Sequence, residues 1–417
     1  MTTTEDVYAD LLGHPETVAF EPTRQAGLAR LDDFASRTSA HYTASRNYDL
    51  GPTERSTVSA LSPWIRHRLI TEEEVLAHTL ARHSPNAAMK FIQEVFWRGY
   101  FKGWMQQHPS VWTGYQSGLR TAQNGLERNV HHNTDYQSAI GGRTGITCFD
   151  HWCHELKETG YLHNHARMWF ASIWIFTLRL PWELGAHFFL THLIDGDPAS
   201  NTLSWRWVGG LHTKGKTYLA RPSNIAKYTR GTFEPIGQLA QTAEPLIEND
   251  IHPFVPFVPS QSPIQKDFLF LITEEDCQPE TFISGTPKDV VGLVSPREAD
   301  QSAKSATFKK GAVADAVLRL GGQENATVTN DWTSTVITAA EQAGTSQVLT
   351  AFAPVGPSAT KLANLQNVLA QEGITLHQQQ RPYDTITWPH ATKGFFKLKK
   401  MIPSILSDLG VSDAQTF

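Results

Sequence analysis

The spacing of apolar residues changes once along this chain, near residue 245, and that change limits its fold more than any other feature. Before it, apolar positions recur at helical intervals over residues 26–35, 72–81, 87–105, 149–158 and 165–180. Ser62-Pro63 reads as an N-cap followed by proline at the first helical position. Gly160 is placed to end the helix before it, and Pro181-Trp182 opens another helix through Leu193. After the change come short apolar runs at 268–272, 290–294, 348–352 and 374–377. These suit buried parallel strands, with helical segments such as 360–371 between them. The stretch PFVPFVPSQSPIQK separates the two patterns and has no period of its own. The expectation is a multidomain α and α/β protein. An all-helical domain spans 1–245, a proline-rich linker 246–266, and a smaller doubly wound parallel α/β domain 267–417.

Composition narrows the functional class. With 12 Trp, 21 Phe and only 18% charged residues among 417, the chain is a folded one with a large core. A formal net charge of −5 argues against a globally basic nucleic-acid binder but leaves room for a local basic face. Three cysteines, Cys148, Cys153 and Cys277, are too few and too odd for a disulfide framework, and point to a reducing compartment. The first residues, MTTTEDVYAD, lack the apolar core of a signal peptide. No apolar run reaches the ~18 residues needed to span a bilayer, so a cytoplasmic location is expected.

Several local constellations carry chemistry. The segment DGDPASNTLSWRW brings together Asp195, Asp197, Asn201, Trp205 and Trp207. It suits an electron-rich polar ring system, or else a capped loop leading into a helix with core tryptophans. In VSALSPWI, two serines at a helix start suit a phosphate, or serve as an ordinary cap. Glu94, Trp97 and Arg98 share one face of an aromatic helix, so the charges either pair with each other or line a cavity. Asn164 and Arg167 share a face near Met168, and Arg167 is placed to pair with a carboxylate such as Asp195. His151, Cys153 and His154 fit no standard zinc spacing, and no metal is expected. Residues 206–230 hold Arg206, Lys214, Lys216, Arg221, Lys227 and Arg230 without an acid. That run is either a solvated face or a surface for a phosphodiester backbone.

Taken together, the motifs YTASRN, VSALSPWIR, EVFWRGYF, GRTGI, TGYLHNHARM, WELGAHFF, HLIDGDPASNTLSWRW and YLARPSN resemble the flavin-binding domain of the photolyase/cryptochrome family. The resemblance covers about residues 20–235. It implies FAD, held bent inside a helical domain. Tyr42, Ser59, Leu61 and Ser62 match the adenine-diphosphate side, and Arg98 matches an arginine facing flavin and phosphates. Asn164, Arg167, Asp195, Asp197 and Asn201 match residues around the ring system, with Asn201 opposite flavin N5. Glu94, Trp97, Asn164, His165, Met168 and Trp207 match the pocket for a flipped pyrimidine dimer. Trp182 and Trp205 match the electron-transfer tryptophans.

The departures matter equally. Val58 and Ala60 replace a threonine and an arginine of the phosphate loop, and His165 replaces an arginine of the dimer pocket. No tryptophan lies near Asn129, where the third member of the transfer series falls; Trp152, Trp104 or a tyrosine are the candidates to substitute. The α/β domain, which precedes the flavin domain in the family, follows it here, and an antenna pigment is not readable. The resemblance implies light-dependent repair of cyclobutane pyrimidine dimers, with UV-damaged DNA as partner, no membrane, and a monomer. Glu94 would hydrogen-bond the lesion, Asn201 would tune the flavin, and Arg206, Lys214, Lys216 and Arg221 would contact the DNA backbone. A blue-light photoreceptor without repair activity is the alternative.

Overall fold

A computed structural model describes residues 16–259, 266–322 and 326–411. Its first part is helical. In chain order the helices are α1 (Arg24–Ala35), α2 (Ala40–Ser45), α3 (Ser62–Arg66), α4 (Glu72–Leu80), α5 (Pro85–Gln106) and α6 (Ser110–Arg128). There follow α7 (Val130–Gly141), α8 (Thr147–Thr159), α9 (Asn164–Ser172), α10 (Trp182–His192), α11 (Pro198–Val208) and α12 (Pro222–Tyr228).

Local chemistry explains the ends. Thr71 and Glu74 form a reciprocal capping box at the start of α4. Ser84 caps α5, and Pro85 takes the first helical position, where its missing N–H costs nothing. Gly160 ends α8 at φ +70°, a conformation that a Cβ disfavours.

Two expectations are corrected. Ser62 does not cap α3; the cap is Leu61, and no side-chain bond closes that end. The Ser62 hydroxyl instead helps keep the Asp195 carboxyl ionised. The helix expected over 165–180 is not continuous. After α9, residues Ile173–Thr177 form a π-helical turn, and the chain leaves it through Arg179 at φ +55°. The apolar spacing carries on across the turn, which is why the sequence hid the break.

The second part is a five-stranded parallel sheet: β1 (Leu269–Ile272), β2 (Asp289–Val294), β3 (Thr327–Val328), β4 (Gln347–Ala351) and β5 (Thr375–Gln379). Their spatial order is β3-β2-β1-β4-β5. Helices α13 (Ala303–Arg319), α14 (Trp332–Gln342) and α15 (Pro357–Gln371) connect them. Short helices α16 (Pro382–Thr387), α17 (Phe395–Lys399) and α18 (Ile402–Asp408) follow. Strand β1 is buried on both faces, and its side chains divide by the two-residue period. Leu269 and Leu271 join Trp332, Val336 and Leu362 in one core. Phe268, Phe270 and Ile272 join Phe308 and Ala312, and that core runs on into Trp64, Phe91 and Phe96 of the helical part. The doubly wound arrangement is as expected; its contact with the helical part is far larger than a tether would give.

Charge pairs reinforce that contact. The Arg66 guanidinium grips Glu275 with two bonds of 2.9 and 3.0 Å, and Ser358 Oγ donates to the same carboxylate at 2.9 Å. Arg68 makes a two-pronged contact with Asp384, and Arg381 does the same with Asp276. Strand order reverses between β1 and β4, the place where open α/β sheets usually leave a ligand crevice. Here Arg66 enters between the loop after β1 and the start of α15. Residues 246–259 have no regular structure, yet they lie pinned. Leu246 N donates to Gly209 O at 2.9 Å and Val255 N to Gln107 O at 2.8 Å. The rest of the proline-rich stretch, 260–265, lies outside the described residues.

Candidate functional site: buried carboxylates beneath an aromatic helix

Helices α5, α9 and α11 pack together, and the polar residues they bury meet around Asp195 and Asp197. Asp195 is buried, and its Oδ2 accepts from Arg167 Nη2 at 2.9 Å. Arg167 is fixed in turn by its Nε bond to Leu162 O at 2.9 Å. Burial works against ionisation of Asp195, but Arg167, Arg98 and the Ser62 hydroxyl outweigh it and hold the carboxyl below its ordinary range.

Asp197 caps α11 by accepting from Ser200 N at 2.7 Å. Three cations face its Oδ2: Lys102 Nζ at 3.7 Å, and Arg66 Nε and Arg98 Nη1 at 3.8 Å each. These offset burial and keep Asp197 ionised far below the usual carboxylate range. Lys102 is almost wholly buried, and burial lowers its ammonium's proton affinity despite Asp197.

The cluster is densely charged. Arg66, Arg98, Lys102 and Arg167 face Asp195, Asp197 and Glu275, and the buried Glu72 carboxylate also acts on Lys102 and Arg98. Among the described residues, Asp195 Oδ1 and Arg98 Nη1 are buried without a hydrogen-bond partner. Orphaned polar atoms of both kinds, a carboxylate oxygen and a guanidinium nitrogen, fit a hydrogen-bonding group such as FAD. Asn201 lies one turn along α11, buried, its Nδ2 donating to Ala186 O at 2.7 Å. Its Oδ1 is the remaining polar end.

The residues matched to the adenine-diphosphate side lie on the other flank. Arg30 holds the loop before α3 by its carbonyls, Ser59 O at 2.7 Å and Val58 O at 3.1 Å. Ala60 sits there at φ +53°, a strained value for a residue with a Cβ. Leu61 is buried, and Ser59 and Ser62 are half-buried. Tyr42 is packed between Phe34 and Phe91, with the Arg46 guanidinium over its ring.

The residues matched to the dimer pocket divide. Glu94, Trp97, Met168 and Trp207 are half-buried and Asn164 is exposed. Glu94 is paired with Arg46 rather than with Arg98. Trp97 has one ring face covered by Phe395 of α17, centroids 3.8 Å apart and planes 13° from parallel. Trp207 stacks on Tyr218.

Two assignments are corrected. Both His165 ring nitrogens are engaged, with Asn47 O at 3.0 Å and Tyr218 Oη at 3.2 Å, and its ring stacks on Trp169. His165 therefore holds the loop and leaves nothing for a ligand. Arg206 is buried and bound by both Nη atoms to Glu248, at 2.5 and 2.6 Å, so it leaves the DNA-backbone set. Lys214, Lys216 and Arg221 are exposed.

Trp205 is buried against Trp174, Phe189 and Gly185. Trp182 lies 5.6 Å from Tyr115, which lies 5.2 Å from Trp112, ring centroid to centroid. Of the substitutes considered for the missing tryptophan, a tyrosine is the one beside Trp182. Trp152 stacks on Trp169, and Trp104 stacks on His108. The sequence reading missed Lys102, although it lies four residues beyond Arg98 on the same helix, and missed Arg66 and Phe395.

Among the described residues no helix is long and apolar enough to cross a membrane, and no cluster of three or more His, Cys, Asp or Glu is placed to hold a metal ion.

Residues 91–242 match the FAD binding domain of DNA photolyase. The chain is 32% identical over 194 residues to a deoxyribodipyrimidine photo-lyase of Synechococcus sp., covering 45% of this chain and 38% of the relative. It is 27% identical over 209 residues to the enzyme of that name from Escherichia coli, covering 49% and 42%. A cryptochrome structure from Synechocystis sp. aligns at 26% identity with a TM-score of 0.41, covering 52% of this chain and 46% of that one. The chain thus spans less than half the length of these relatives. The helical part of this chain carries its likeness to the photolyase/cryptochrome family, in an FAD-binding domain of the photolyase type, and its cofactor is FAD.

Proposed function

We propose that this protein repairs cyclobutane pyrimidine dimers in DNA by light-driven electron transfer from reduced FAD. One observation carries the reading. Arg98 reaches within 3.8 Å of Asp197, and Glu94 and Trp97 share its face of α5, which supports a lesion held next to the cofactor carboxylates. The cofactor, when bound, supplies light absorption and the transferable electron.

The chain's own residues supply the rest. Asp195, Arg167, Asp197 and Arg98 would orient the ring and phosphates, with Asn164 at the rim and Tyr42, Ser59, Leu61 and Ser62 on the adenine side. Asn201 would present its amide to the flavin, while Trp205 and Trp182 would refill it with electrons. Glu94 would leave Arg46 to hydrogen-bond the lesion, and Trp97, Met168 and Trp207 would hold its apolar faces. Lys214, Lys216 and Arg221 would contact phosphates.

The second reading, a photoreceptor without repair, draws support from Phe395. Its ring occupies a face of Trp97 that a lesion would need. One experiment separates the two. Reduced, FAD-loaded protein is illuminated with dimer-containing single- and double-stranded DNA, and the loss of lesion is followed. Turnover supports repair; a photoreduced flavin with no turnover assigns the photoreceptor role.

A further inference from the structure

The end of the chain carries a surface that the cofactor site does not use. From Thr385 to Ser407 there is no acidic residue, and Lys393, Lys397, Lys399 and Lys400 fall inside that span. Helix α17 turns Phe395 and Leu398 inward, where both are buried. Phe396 points out and is 73% exposed. Lys393, Lys397 and Lys400 are exposed around it, and the Lys399 ammonium lies 5.9 Å from its ring centroid. A lone exposed apolar side chain is ordinary. A bare aromatic ring on a segment with four lysines and no acid of its own is a different object.

Its position gives it meaning. Through Phe395 the segment rests on Trp97 and lies 5.6 Å from the Tyr100 ring. Tyr100 Oη is also 3.0 Å from His212 Nε2, and His212 lies against Trp104 at 4.7 Å between centroids. Two and four residues beyond His212 stand Lys214 and Lys216, both exposed. Two lysine-bearing, acid-free segments, from distant parts of the chain, are therefore anchored on the same tyrosine. Half-buried Trp97, Phe101 and Trp104 are their neighbours. Cations flanking an aromatic strip suit a polyanion whose flat rings can stack: a single nucleic-acid strand.

We propose that residues 392–400 are a nucleic-acid-binding segment, with Lys393, Lys397 and Lys400 on phosphates and Phe396 as a stacking platform for a base. The assignment rests on DNA being the partner of the neighbouring site, and it gives that partner a second hold outside the helical part.

The test uses full-length, FAD-loaded protein in the dark and a fluorescent, undamaged single strand, with binding followed by anisotropy across a salt series. The Lys393→Ala/Lys397→Ala/Lys400→Ala variant should make the slope of log affinity against log salt shallower by about 2. Phe396→Ala should weaken binding roughly tenfold and leave that slope alone. Lys304→Ala/Lys310→Ala, exposed lysines of α13, should change neither. An unchanged slope in the triple variant, or an equal change in the α13 control, overturns the proposal. So does loss of binding to phosphatidylserine vesicles with strand binding intact, which would mark a lipid surface. The repair assay stands apart. If illuminated wild type repairs nothing while these binding changes appear, the repair reading falls and the segment keeps its role.

Discussion

Phe395 lies flat on Trp97, 3.8 Å between ring centroids, although 298 residues separate them in the chain. A helix from the end of the protein thus covers an aromatic face on the helix expected to meet the substrate. If a lesion stacks on Trp97, it competes with Phe395. Phe395→Leu keeps apolar volume but removes the flat ring. It should tighten dark binding of a dimer-containing oligonucleotide about fivefold or more, measured by anisotropy. Weaker or unchanged binding would mean that Phe395 does not compete with the lesion.

The buried Asp195–Arg167 pair should matter to cofactor and fold together. Asp195→Asn keeps the shape and removes the charge. It leaves Arg167 without its carboxylate, at a cost of roughly 2 kcal/mol, reduced from the fully buried case because Arg167 is partly exposed. Purified variant should carry less flavin per polypeptide and melt earlier. Full flavin content by absorbance would remove Asp195 from the cofactor site.

His163 gives a pH dependence with a definite sign. It is buried, and its Nδ1 accepts from His165 N at 3.1 Å to cap α9, which requires an unprotonated nitrogen there. Burial, with His165 and Arg55, lowers its proton affinity to about 4, against the opposing pull of Asp49. The unfolded chain therefore takes up this proton first, near 6.5. The stability is present above pH 6.5 and is lost as pH falls toward 4. His163→Asn keeps a capping oxygen and cannot titrate. Across pH 7 to 4, wild type should lose about 3 kcal/mol more stability than this variant in urea titrations. Parallel curves would contradict the assignment.

At Gly103, α5 touches the second part backbone to backbone. A Cβ there would come within 2.9 Å of the Trp388 Cα, a backbone atom that cannot step aside cheaply. Gly103→Ala should cost about 1–3 kcal/mol. Gly125, on exposed α6, meets nothing within 4 Å, so Gly125→Ala should stabilise by up to ~1 kcal/mol. Melting temperatures of the two variants should move in opposite directions.

Tyr115 stands beside Trp182, 5.6 Å between ring centroids. If it relays the electron, Tyr115→Phe should slow photoreduction of oxidised flavin severalfold in a reductant-driven assay under blue light. An unchanged rate would direct the search to other rings.

Much of this was legible because it is local. Asp195, Asp197 and Asn201 fall within seven residues, and Glu94, Trp97 and Arg98 within one helical turn. The strand runs announced themselves by apolar content, apart from two-residue β3. Helix α6 carries its stripe openly in Val111, Trp112, Tyr115, Leu119 and Leu126 at helical spacing, whereas in α7 His, Asn and Gln leave Ala139 as the one buried side chain. The contacts that remake the site are the least legible. Arg66 with Glu275 and Arg206 with Glu248 pair charges that each look free in the sequence. Arg206 read as one of a basic run, and only the fold reveals that the pinned coil carries its counter-ion.

The grip of Arg66 on Glu275 and of Arg68 on Asp384 has a mechanical consequence. Pulling the sheet away from the helices would part four buried charges from their partners before water reached them. The two halves therefore have no cheap way to part company, and they should melt in a single calorimetric transition. A protease nick in the coil near residue 250 should leave both fragments travelling together through a sizing column.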